Sequence, residues 1–334
     1  MFLNDLVIDR SAGIVHVTLN RPAALNALNV AMIDGLLPIL QGDDTVLVTG
    51  AGGKAFCAGG DVKAVWQTLK DGKGAEAATD YFRHEYRMNA ALFAHKAPYI
   101  SYLNGITMGG GYGVSAHGSH LIACEATSFA MPEVKIGFFP DVGVMYHLAR
   151  VPHQLGTYLA LTGNTINAAD MVYAGLAHAY VPLAQFEAFK AALKNGVGEA
   201  IKVFSTEPPK DGFLKSHQDI IEKCFTFEAV EEIIEALKVD GSIFAIQTAS
   251  EIESRCPLSV KVALRHLRLS ARNDFETVIA RDLFLAHRFM ESPNFMEGIR
   301  AALIDRDRSP RWNPASLQGV DDALLAIYFP SGGD

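Results

Sequence analysis

The sequence has little of what directs a protein to nucleic acid. Its 334 residues carry 29 Lys and Arg against 37 Asp and Glu, which gives a formal net charge of −8, and they contain no basic run. Such a chain is a poor match for a phosphate backbone, so nucleic acid is not expected as a partner. Apolar residues make up 49% of the chain, enough for a large core, which argues against a mainly disordered protein.

Cysteine is scarce, and long apolar runs are missing. The four cysteines are Cys57, Cys124, Cys224 and Cys256. They lie far apart without a C-x-x-C pair, so neither a disulfide framework nor a metal site is expected. The most apolar stretch, residues 100–124, is interrupted by glycines and histidines and does not predict a membrane span. The N-terminal MFLNDLVIDR lacks the pattern of a signal peptide, and no transit peptide is visible, which favours a cytoplasmic protein.

Hydrophobic periodicity predicts an α/β protein. Apolar residues alternate with polar ones over residues 14–19, and together with residues 6–8 they predict a β-hairpin. Short apolar runs at 46–49 and 99–103 predict strands, each leading into a glycine-rich loop, with a helix between them. Further short strands are expected at 121–124 and 127–130. This order is typical of a mainly parallel sheet whose loops face a ligand.

The C-terminal part has a different pattern. Strand signals fade after about residue 185, and four later segments have helical spacing of their apolar residues. These predicted helices cover residues 227–237, 258–269, 277–290 and 294–304. We therefore expect an α/β core followed by a helical C-terminal portion.

The two glycine-rich loops do not fit the common phosphate-binding and nucleophile motifs. A P-loop would need a glycine and a hydroxyl residue where the chain has Val48 and Ala55. The G-x-G-x-x-A stretch from Gly111 matches a dinucleotide motif only weakly, and residues 113–117 lack the closing glycine of a nucleophile elbow. Two such loops can instead direct backbone N–H groups at one carbonyl oxygen, as an oxyanion hole does. Two ordinary tight turns are the alternative.

Three motifs resemble the enoyl-CoA hydratase/isomerase (crotonase) superfamily. They are Leu19-Asn20-Arg21-Pro22 with Leu25-Asn26-Ala27-Leu28, the KAFCAGGD stretch at 54–61, and the NGITMGGG stretch at 104–111. The resemblance implies a crotonase-like ββα spiral core over residues 1–190 that binds acyl-CoA. Residues 191–334 would then be a mainly helical portion that completes the same catalytic unit.

The resemblance also implies roles for residues in both loops. Members of the family bind an acyl-CoA thioester, whose carbonyl oxygen accepts hydrogen bonds from one backbone N–H in each loop. In this sequence the matching donors are Gly60 and Gly110. The backbone around Ala58 and Asp61 would contact the CoA portion of the substrate.

Acidic residues distinguish the branches of this family. Hydratases carry a glutamate two positions after the triple glycine, where this chain has Gly113, and another in a later P-E loop, here Glu133. A second acid appears instead at Asp141, in the MPEVKIGFFPDVG stretch at 131–143. That stretch resembles the 3-hydroxyisobutyryl-CoA hydrolase branch. The loss of one member of the acid–base pair argues against water addition to a double bond.

Other segments extend the resemblance to this branch almost to the C-terminus. They are YFRHEY at 81–86, CPLSVK at 256–261, EGIRA at 297–301 and IDRDRSPRW at 304–312. The first of them contains Glu85, which matches a glutamate that the branch places near its substrate.

The function implied by the resemblance is hydrolysis of a short 3-hydroxyacyl-CoA thioester to the free acid and CoA, as in valine catabolism. The implied substrates are 3-hydroxyisobutyryl-CoA and 3-hydroxypropionyl-CoA. Glu133 and Asp141 are the candidate catalytic residues, and Glu85 would line the acyl pocket. No cofactor is expected, because CoA is part of the substrate, and a homo-oligomer is compatible with the family.

Several alternatives stay open at this point. The chain could be a crotonase-type isomerase or hydratase, or a non-catalytic subunit that binds acyl-CoA. Judged without the resemblance, Glu133 is a loop acid, and Asp141 caps a helix over 142–150. Glu85 then forms surface ion pairs with its neighbours Arg83 and Arg87, which contribute little to stability.

Overall fold

The computed structural model describes residues 5–11, 13–209 and 212–330, and these form an α/β structure. The strands are β1 (Leu6–Ser11), β2 (Ile14–Leu19), β3 (Thr45–Gly50), β4 (Ala55–Cys57), β5 (Tyr99–Leu103), β6 (Ile106–Met108), β7 (His120–Ala123), β8 (Ser128–Ala130), β9 (Ile166–Asn167) and β10 (Ala179–Tyr180). The helices of the first half are α1 (Val30–Leu40), α2 (Val62–Lys70), α3 (Gly74–Ala94), α4 (Gly110–Ala116), α5 (Val144–Leu148), α6 (Leu155–Thr162) and α7 (Ala168–Tyr173). Those of the second half are α8 (Phe186–Ala192), α9 (Val197–Phe204), α10 (Leu214–Cys224), α11 (Val230–Asp240), α12 (Ile243–Glu253), α13 (Pro257–Ser270), α14 (Phe275–Glu291), α15 (Pro293–Ile299) and α16 (Asp322–Tyr328).

The first of two compact units contains both β-sheets. It comprises the described parts of Met1–Asp61, His84–Ala130 and Thr165–Lys215. One sheet has the strand order β1-β2-β3-β5-β7-β10, in which only the β1–β2 pair is antiparallel. The smaller sheet has the order β4-β6-β8-β9. Apolar residues of the large sheet, such as Leu47 and Tyr102, pack with Phe189 and other residues of α8 and α9 in a buried core.

The second unit is mainly helical. It comprises Val62–Arg83, Met131–Asn164 and the described part of Ser216–Asp334. Phe138 is at the centre of its aromatic core, with ring centroids 5.1 Å from Phe82, 5.4 Å from Phe289 and 5.6 Å from Phe295. Helix α13 packs against both α5 and the short 3-10 helix Glu133–Lys135. The segment that carries the candidate acids is therefore fixed by the C-terminal helices.

The predicted α/β class and helical C-terminal part are confirmed. The predicted hairpin is the antiparallel pair β1–β2, and the run at 99–103 is β5 with the predicted bounds. The helix predicted over 294–304 ends as an α-helix at Ile299 and continues as a π-helix over Arg300–Ile304. The division into residues 1–190 and 191–334 stays a prediction. Among the residues that the structure describes, no helix is long and apolar enough to cross a membrane.

Candidate active site

The two glycine-rich loops lie side by side because the short strands before them are paired. Strand β4 runs parallel to β6, with Ala55 opposite Ile106. The loops that follow parallel neighbours leave the sheet at the same edge, where α/β proteins bind their ligands. As a result, a Cβ atom built on Gly110 would lie only 3.1 Å from the backbone nitrogen of Gly60. The structure thus brings together the two glycines that were expected to act as donors.

The backbone around these glycines leaves two N–H groups suited to one acceptor. Gly110 is the first residue of α4, and N–H groups in the first turn of a helix have no acceptor within that helix. Leu28 pairs with the residues that flank Gly60, since its N–H donates to Gly59 and its carbonyl oxygen accepts from Asp61, each over 2.9 Å. In such a parallel bridge the N–H of the middle residue, Gly60, points away from Leu28.

Glycine is required on either side of Gly110 for different reasons. Gly109, the residue before α4, has φ 50° and ψ −124°, a backbone conformation that side chains disfavour. At Gly111 a Cβ atom would overlap the carbonyl oxygen of Cys57 and lie 2.9 Å from its Cβ. The triple glycine therefore allows α4 to start directly against β4.

Glu85 is buried beside Gly110. Its side chain on α3 is 2% exposed, and a Cβ atom on Gly110 would overlap its Oε1 atom. The alternative of a surface ion pair is wrong for this residue. Arg83 instead pairs with Glu76, at 2.6 Å. The Glu85 carboxyl therefore lies next to the two glycine nitrogens, where it can line a pocket for a small polar acyl group.

Cys57 is not a nucleophile for this site. Its side chain is fully buried, and burial raises the pKa of the thiol to about 12, with a further contribution from the charge of Glu85. The thiol is therefore protonated at neutral pH, and a protonated thiol is a weak nucleophile. This leaves the backbone donors and the carboxyl groups as the reactive chemistry.

Arg21 and Asn26 hold the first loop in place. The buried Asn26 donates to the carbonyl oxygens of Ala51 (3.0 Å) and Ala55 (2.8 Å) and accepts the N–H of Arg21 (2.9 Å). The Arg21 guanidinium binds the Asp61 carboxylate at 3.1 Å. Sequence reasoning did not give these two residues a role, although both belong to the first motif that carries the family resemblance.

Two backbone N–H groups in the stretch that was expected to contact CoA already form hydrogen bonds within the first unit. The N–H of Ala58 donates to the carbonyl oxygen of Leu25 over 3.0 Å, and that of Asp61 donates to Leu28. A contact between CoA and this stretch therefore has to use carbonyl oxygens or side chains rather than these two N–H groups.

Glu133 begins the 3-10 helix Glu133–Lys135 in the second unit and is 6% exposed. Its carbonyl oxygen accepts the N–H groups of Ile136 (2.9 Å) and Phe138 (3.1 Å). The following residue, Val134, accepts the N–H of Cys256, at the start of α13, over 3.1 Å. A glutamate is rarely buried to this extent, so this position differs from that of an ordinary exposed loop acid.

Asp141 lies on the same segment and is 4% exposed. The prediction that it caps a helix over 142–150 is wrong, because α5 begins only at Val144 and its N-cap residue is Gly143. Val142 and Gly143 both have left-handed φ values, 56° and 75°, and these delay the helix. Phe138 and Phe139, 3% and 0% exposed, lie between the two acids and give the segment apolar surroundings.

A metal site is not evident in the described part of the chain, where no group of three or more His, Cys, Asp or Glu residues is placed to bind an ion. The first unit offers a pair of N–H donors with a carboxyl beside them, and the second offers two buried carboxyls on one segment. Paired N–H donors stabilise negative charge on a carbonyl oxygen, and carboxyls serve as nucleophile, base or acid. Each of these two sets of groups is of a kind that acyl-transfer enzymes use.

Comparisons with known proteins agree with this chemistry. The model of the enoyl-CoA hydratase/isomerase family matches residues 14–329. The chain is 40% identical to the mitochondrial 3-hydroxyisobutyryl-CoA hydrolase of Xenopus tropicalis, over 95% of this chain and 86% of that protein. It is also 40% identical to the mitochondrial 3-hydroxyisobutyryl-CoA hydrolase of Homo sapiens, over 98% of this chain and 89% of that one.

Solved structures share the fold over nearly the whole chain. A carnitinyl-CoA dehydratase from Mycobacterium thermoresistibile has a TM-score of 0.91 and 36% identity, covering 97% of this chain and 96% of its own. An enoyl-CoA hydratase from Rhodobacter sphaeroides 2.4.1 has a TM-score of 0.90 and 33% identity, covering 98% of both chains.

Proposed function

Because the chain belongs to the enoyl-CoA hydratase/isomerase family, we propose that it is an acyl-CoA thioester hydrolase whose substrate is 3-hydroxyisobutyryl-CoA. The observation that carries the proposal is the 40% identity to 3-hydroxyisobutyryl-CoA hydrolases over 95% and 98% of the chain. The reaction would convert the thioester and water to 3-hydroxyisobutyrate and CoA, a step of valine degradation. 3-Hydroxypropionyl-CoA, which lacks the methyl branch, is a second expected substrate.

The backbone N–H groups of Gly60 and Gly110 would bind the thioester carbonyl oxygen. Their closeness supports this role, since a Cβ on Gly110 would lie 3.1 Å from the Gly60 nitrogen. Negative charge develops on the carbonyl oxygen as the carbon becomes tetrahedral, and fixed donors stabilise it without reorganisation. Removal of one such donor costs about 10²–10³ in kcat.

Glu133 would supply the nucleophile or the base. As nucleophile, its carboxylate attacks the thioester carbon, the C–S bond breaks, and CoA leaves as the thiolate, which takes up a proton. Water then cleaves the mixed anhydride and restores the carboxylate. As general base, Glu133 would instead take a proton from the attacking water and pass it to the thiolate. Both routes consume one water for each thioester.

The remaining candidate residues would bind and orient the substrate. Asp141 would hold the 3-hydroxyl group or the attacking water, or assist proton transfer to the leaving thiolate. Glu85 would line the acyl pocket, which its burial beside Gly110 supports. The backbone around Ala58 and Asp61 would contact the CoA portion. We expect the reaction to need no cofactor, because CoA enters as part of the substrate.

Hydration or dehydration is the second candidate reaction, because two solved structures with TM-scores of 0.91 and 0.90 carry dehydratase and hydratase names. Against it stands Gly113 at the position where the hydratase pattern has its first glutamate. Water addition needs one group to take a proton from the attacking water and another to deliver a proton to the neighbouring carbon, and with Glu133 alone one of these groups is missing.

A panel of acyl-CoAs separates these reactions. Purified protein is mixed with 3-hydroxyisobutyryl-CoA, 3-hydroxypropionyl-CoA or crotonyl-CoA, while free thiol and enoyl absorbance are followed separately. Thiol release from the 3-hydroxyacyl thioesters is expected. Turnover of the enoyl group without thiol release would show a hydratase or isomerase instead. Tight CoA binding without any turnover would show a binding subunit.

Substitution Glu133→Gln tests the central carboxyl. We expect thiol release to fall by at least about 10³-fold, because an amide can neither attack nor accept the proton, while CoA binding stays within about threefold. The matched control is Glu199→Gln on the exposed side of α9, which should leave activity unchanged. Substantial residual activity in Glu133→Gln would remove this residue from the central role.

Cellular location and assembly stay predictions. The cytoplasmic location was expected from the sequence alone, whereas the hydrolases of Xenopus tropicalis and Homo sapiens are mitochondrial by name. Fractionation of cells that express the chain and light scattering of the purified protein test the location and the homo-oligomer, respectively.

A further inference from the structure

A buried hydrogen bond joins two C-terminal helices of the second unit. The Nε2 atom of His266 on α13 donates to Oδ1 of Asp282 on α14 over 2.6 Å, and both side chains are fully buried. The other ring nitrogen lies 3.4 Å from the hydroxyl of Ser270. Burying polar side chains is costly even when they bond to each other, and apolar residues of similar volume often stabilise a fold as well or better. The pair therefore calls for an explanation other than stability.

The second oxygen of Asp282 binds the backbone close to Asp141. Its Oδ2 atom accepts the N–H of Gly143 over 2.6 Å. Val142, between Asp141 and Gly143, has a φ of 56°, which a β-branched residue adopts only under constraint. The hydrogen bond that Asp282 accepts from Gly143 is such a constraint, and it stabilises the turn that starts at Asp141.

Helix α13 also fixes the other end of the segment that carries the two acids. The N–H of Cys256, its N-cap residue, donates to the carbonyl oxygen of Val134 over 3.1 Å, next to Glu133. Between the two ends, the ring of Phe139 packs edge-on against His266, with centroids 5.8 Å apart. One helix thus contacts the segment at its beginning, its middle and, through Asp282, its end.

We propose that His266 and Asp282 are positioning residues for Asp141. The proposal rests on the proposed hydrolase function. His266 binds one oxygen of Asp282 and so leaves the other oxygen to Gly143, which fixes the turn and the direction of the Asp141 carboxyl. His–Asp pairs also occur in catalytic triads, but both of these side chains are 0% exposed, so substrate cannot reach them.

Asp282 holds both donors through one carboxyl group. Burial raises the pKa of this carboxyl, and the hydrogen bonds from His266 and Gly143 offset part of that rise. Without the bond from His266, the carboxyl can rotate away from Gly143. This coupling is the reason why a change at His266, which does not contact the turn itself, is expected to reach Asp141.

Variants that keep the hydrogen bonds of the His266–Asp282 pair should retain a higher kcat than variants that break them. Asp282→Asn keeps the shape but has one accepting atom in place of two, so it cannot accept from both His266 and Gly143. We expect kcat to fall about 10- to 100-fold, with KM and the affinity for free CoA within about threefold. His266→Gln keeps an N–H donor and should retain most of the activity, whereas His266→Leu should resemble Asp282→Asn.

A buried carboxyl in the first unit provides the matched control. Asp170 is 1% exposed and accepts the backbone N–H of Leu214 over 2.8 Å, in the first unit. Asp170→Asn makes the same carboxyl-to-amide change at a comparably buried position and should change kcat by less than about twofold. Thermal unfolding of each variant sets an assay temperature at which all of them are folded.

A double-mutant cycle gives the decisive result. In an Asp141→Asn background, Asp282→Asn should lower kcat by less than about twofold further, because its effect passes through Asp141. The same fold loss in both backgrounds, or an equal loss in Asp170→Asn, would overturn the positioning role. A wild-type chain that releases no thiol would instead overturn the proposed hydrolase function, and the role of the pair with it.

Discussion

Substitution Gly110→Ala is a direct test of the paired backbone donors. The added methyl carbon would lie 3.1 Å from the Gly60 nitrogen and would overlap Oε1 of Glu85. Gly110 does not have positive φ, so alanine fits its backbone conformation. The substitution therefore acts through the volume of the added methyl group and not through backbone strain. In the proposed oxyanion hole, a carbonyl oxygen that accepts from both N–H groups would lie in the space that this methyl group fills.

The size of the effect follows from this geometry. An oxygen bound in an oxyanion hole lies about 2.7–3.1 Å from each donor nitrogen. The added methyl carbon would lie 3.1 Å from the Gly60 nitrogen and would therefore occupy the place of the oxygen. We expect kcat to fall about 10³-fold, which corresponds to about 4 kcal/mol of transition-state stabilisation. The fold should persist, because overpacking costs about 1–3 kcal/mol, while alanine in a helix regains about 1 kcal/mol.

The assay is thiol release from 3-hydroxyisobutyryl-CoA, alongside thermal unfolding by circular dichroism. Gly198→Ala is the matched control, because Gly198 lies in the first turn of α9 with no atom within 4 Å of an added Cβ. It should keep full activity. If Gly110→Ala stayed folded with activity within about threefold of the wild type, the assignment of Gly60 and Gly110 as donors would be refuted.

Three further results are expected. Because burial raises the pKa of Cys57 to about 12, iodoacetamide at about pH 8 should leave activity intact, and rapid inactivation would contradict this. Asn26→Ala should lower the free energy of unfolding by about 2–4 kcal/mol, since Ala51 and Ala55 lose a buried donor; an unchanged urea midpoint would contradict this. Partial desolvation lowers the pKa of His178, which stays exposed at the surface while its Nδ1 accepts the Leu121 N–H. As pH falls through the ordinary pKa of 6.5, the unfolded chain therefore takes up a proton more readily than the folded chain does. Stability is then lost as pH falls below that value, and His178→Gln should reduce the drop in urea midpoint between about pH 7.5 and 5.5.

Local periodicity was sufficient for many elements of this fold. Alternation identified the β1–β2 hairpin, and helical spacing identified α13 and α14. Helix α12 was not predicted. Its apolar residues Ile243 and Ile246 are 79% and 45% exposed, so apolar residues are not confined to the buried face of this helix and the helical periodicity is weak. The short strand β4 has three residues, too few for a periodic signal, although its pairing with β6 places both glycine loops.

The candidate site was predicted where neighbouring residues form motifs and missed where partners are distant in sequence. Gly60, Gly110, Glu133 and Asp141 each belong to a motif that can be recognised in the chain. The contact between Asp282 and Gly143 joins residues 139 positions apart, and no local pattern marks it. The left-handed Val142 is equally hidden, since valine has no preference for that conformation.

The most direct test of the account is the product balance with 3-hydroxyisobutyryl-CoA and wild-type protein. We predict one CoA thiol and one 3-hydroxyisobutyrate for each thioester consumed, with no rise in enoyl absorbance. Formation of an enoyl-CoA without free thiol, or no turnover while CoA binds tightly, would contradict the assignment of this chain as a thioester hydrolase.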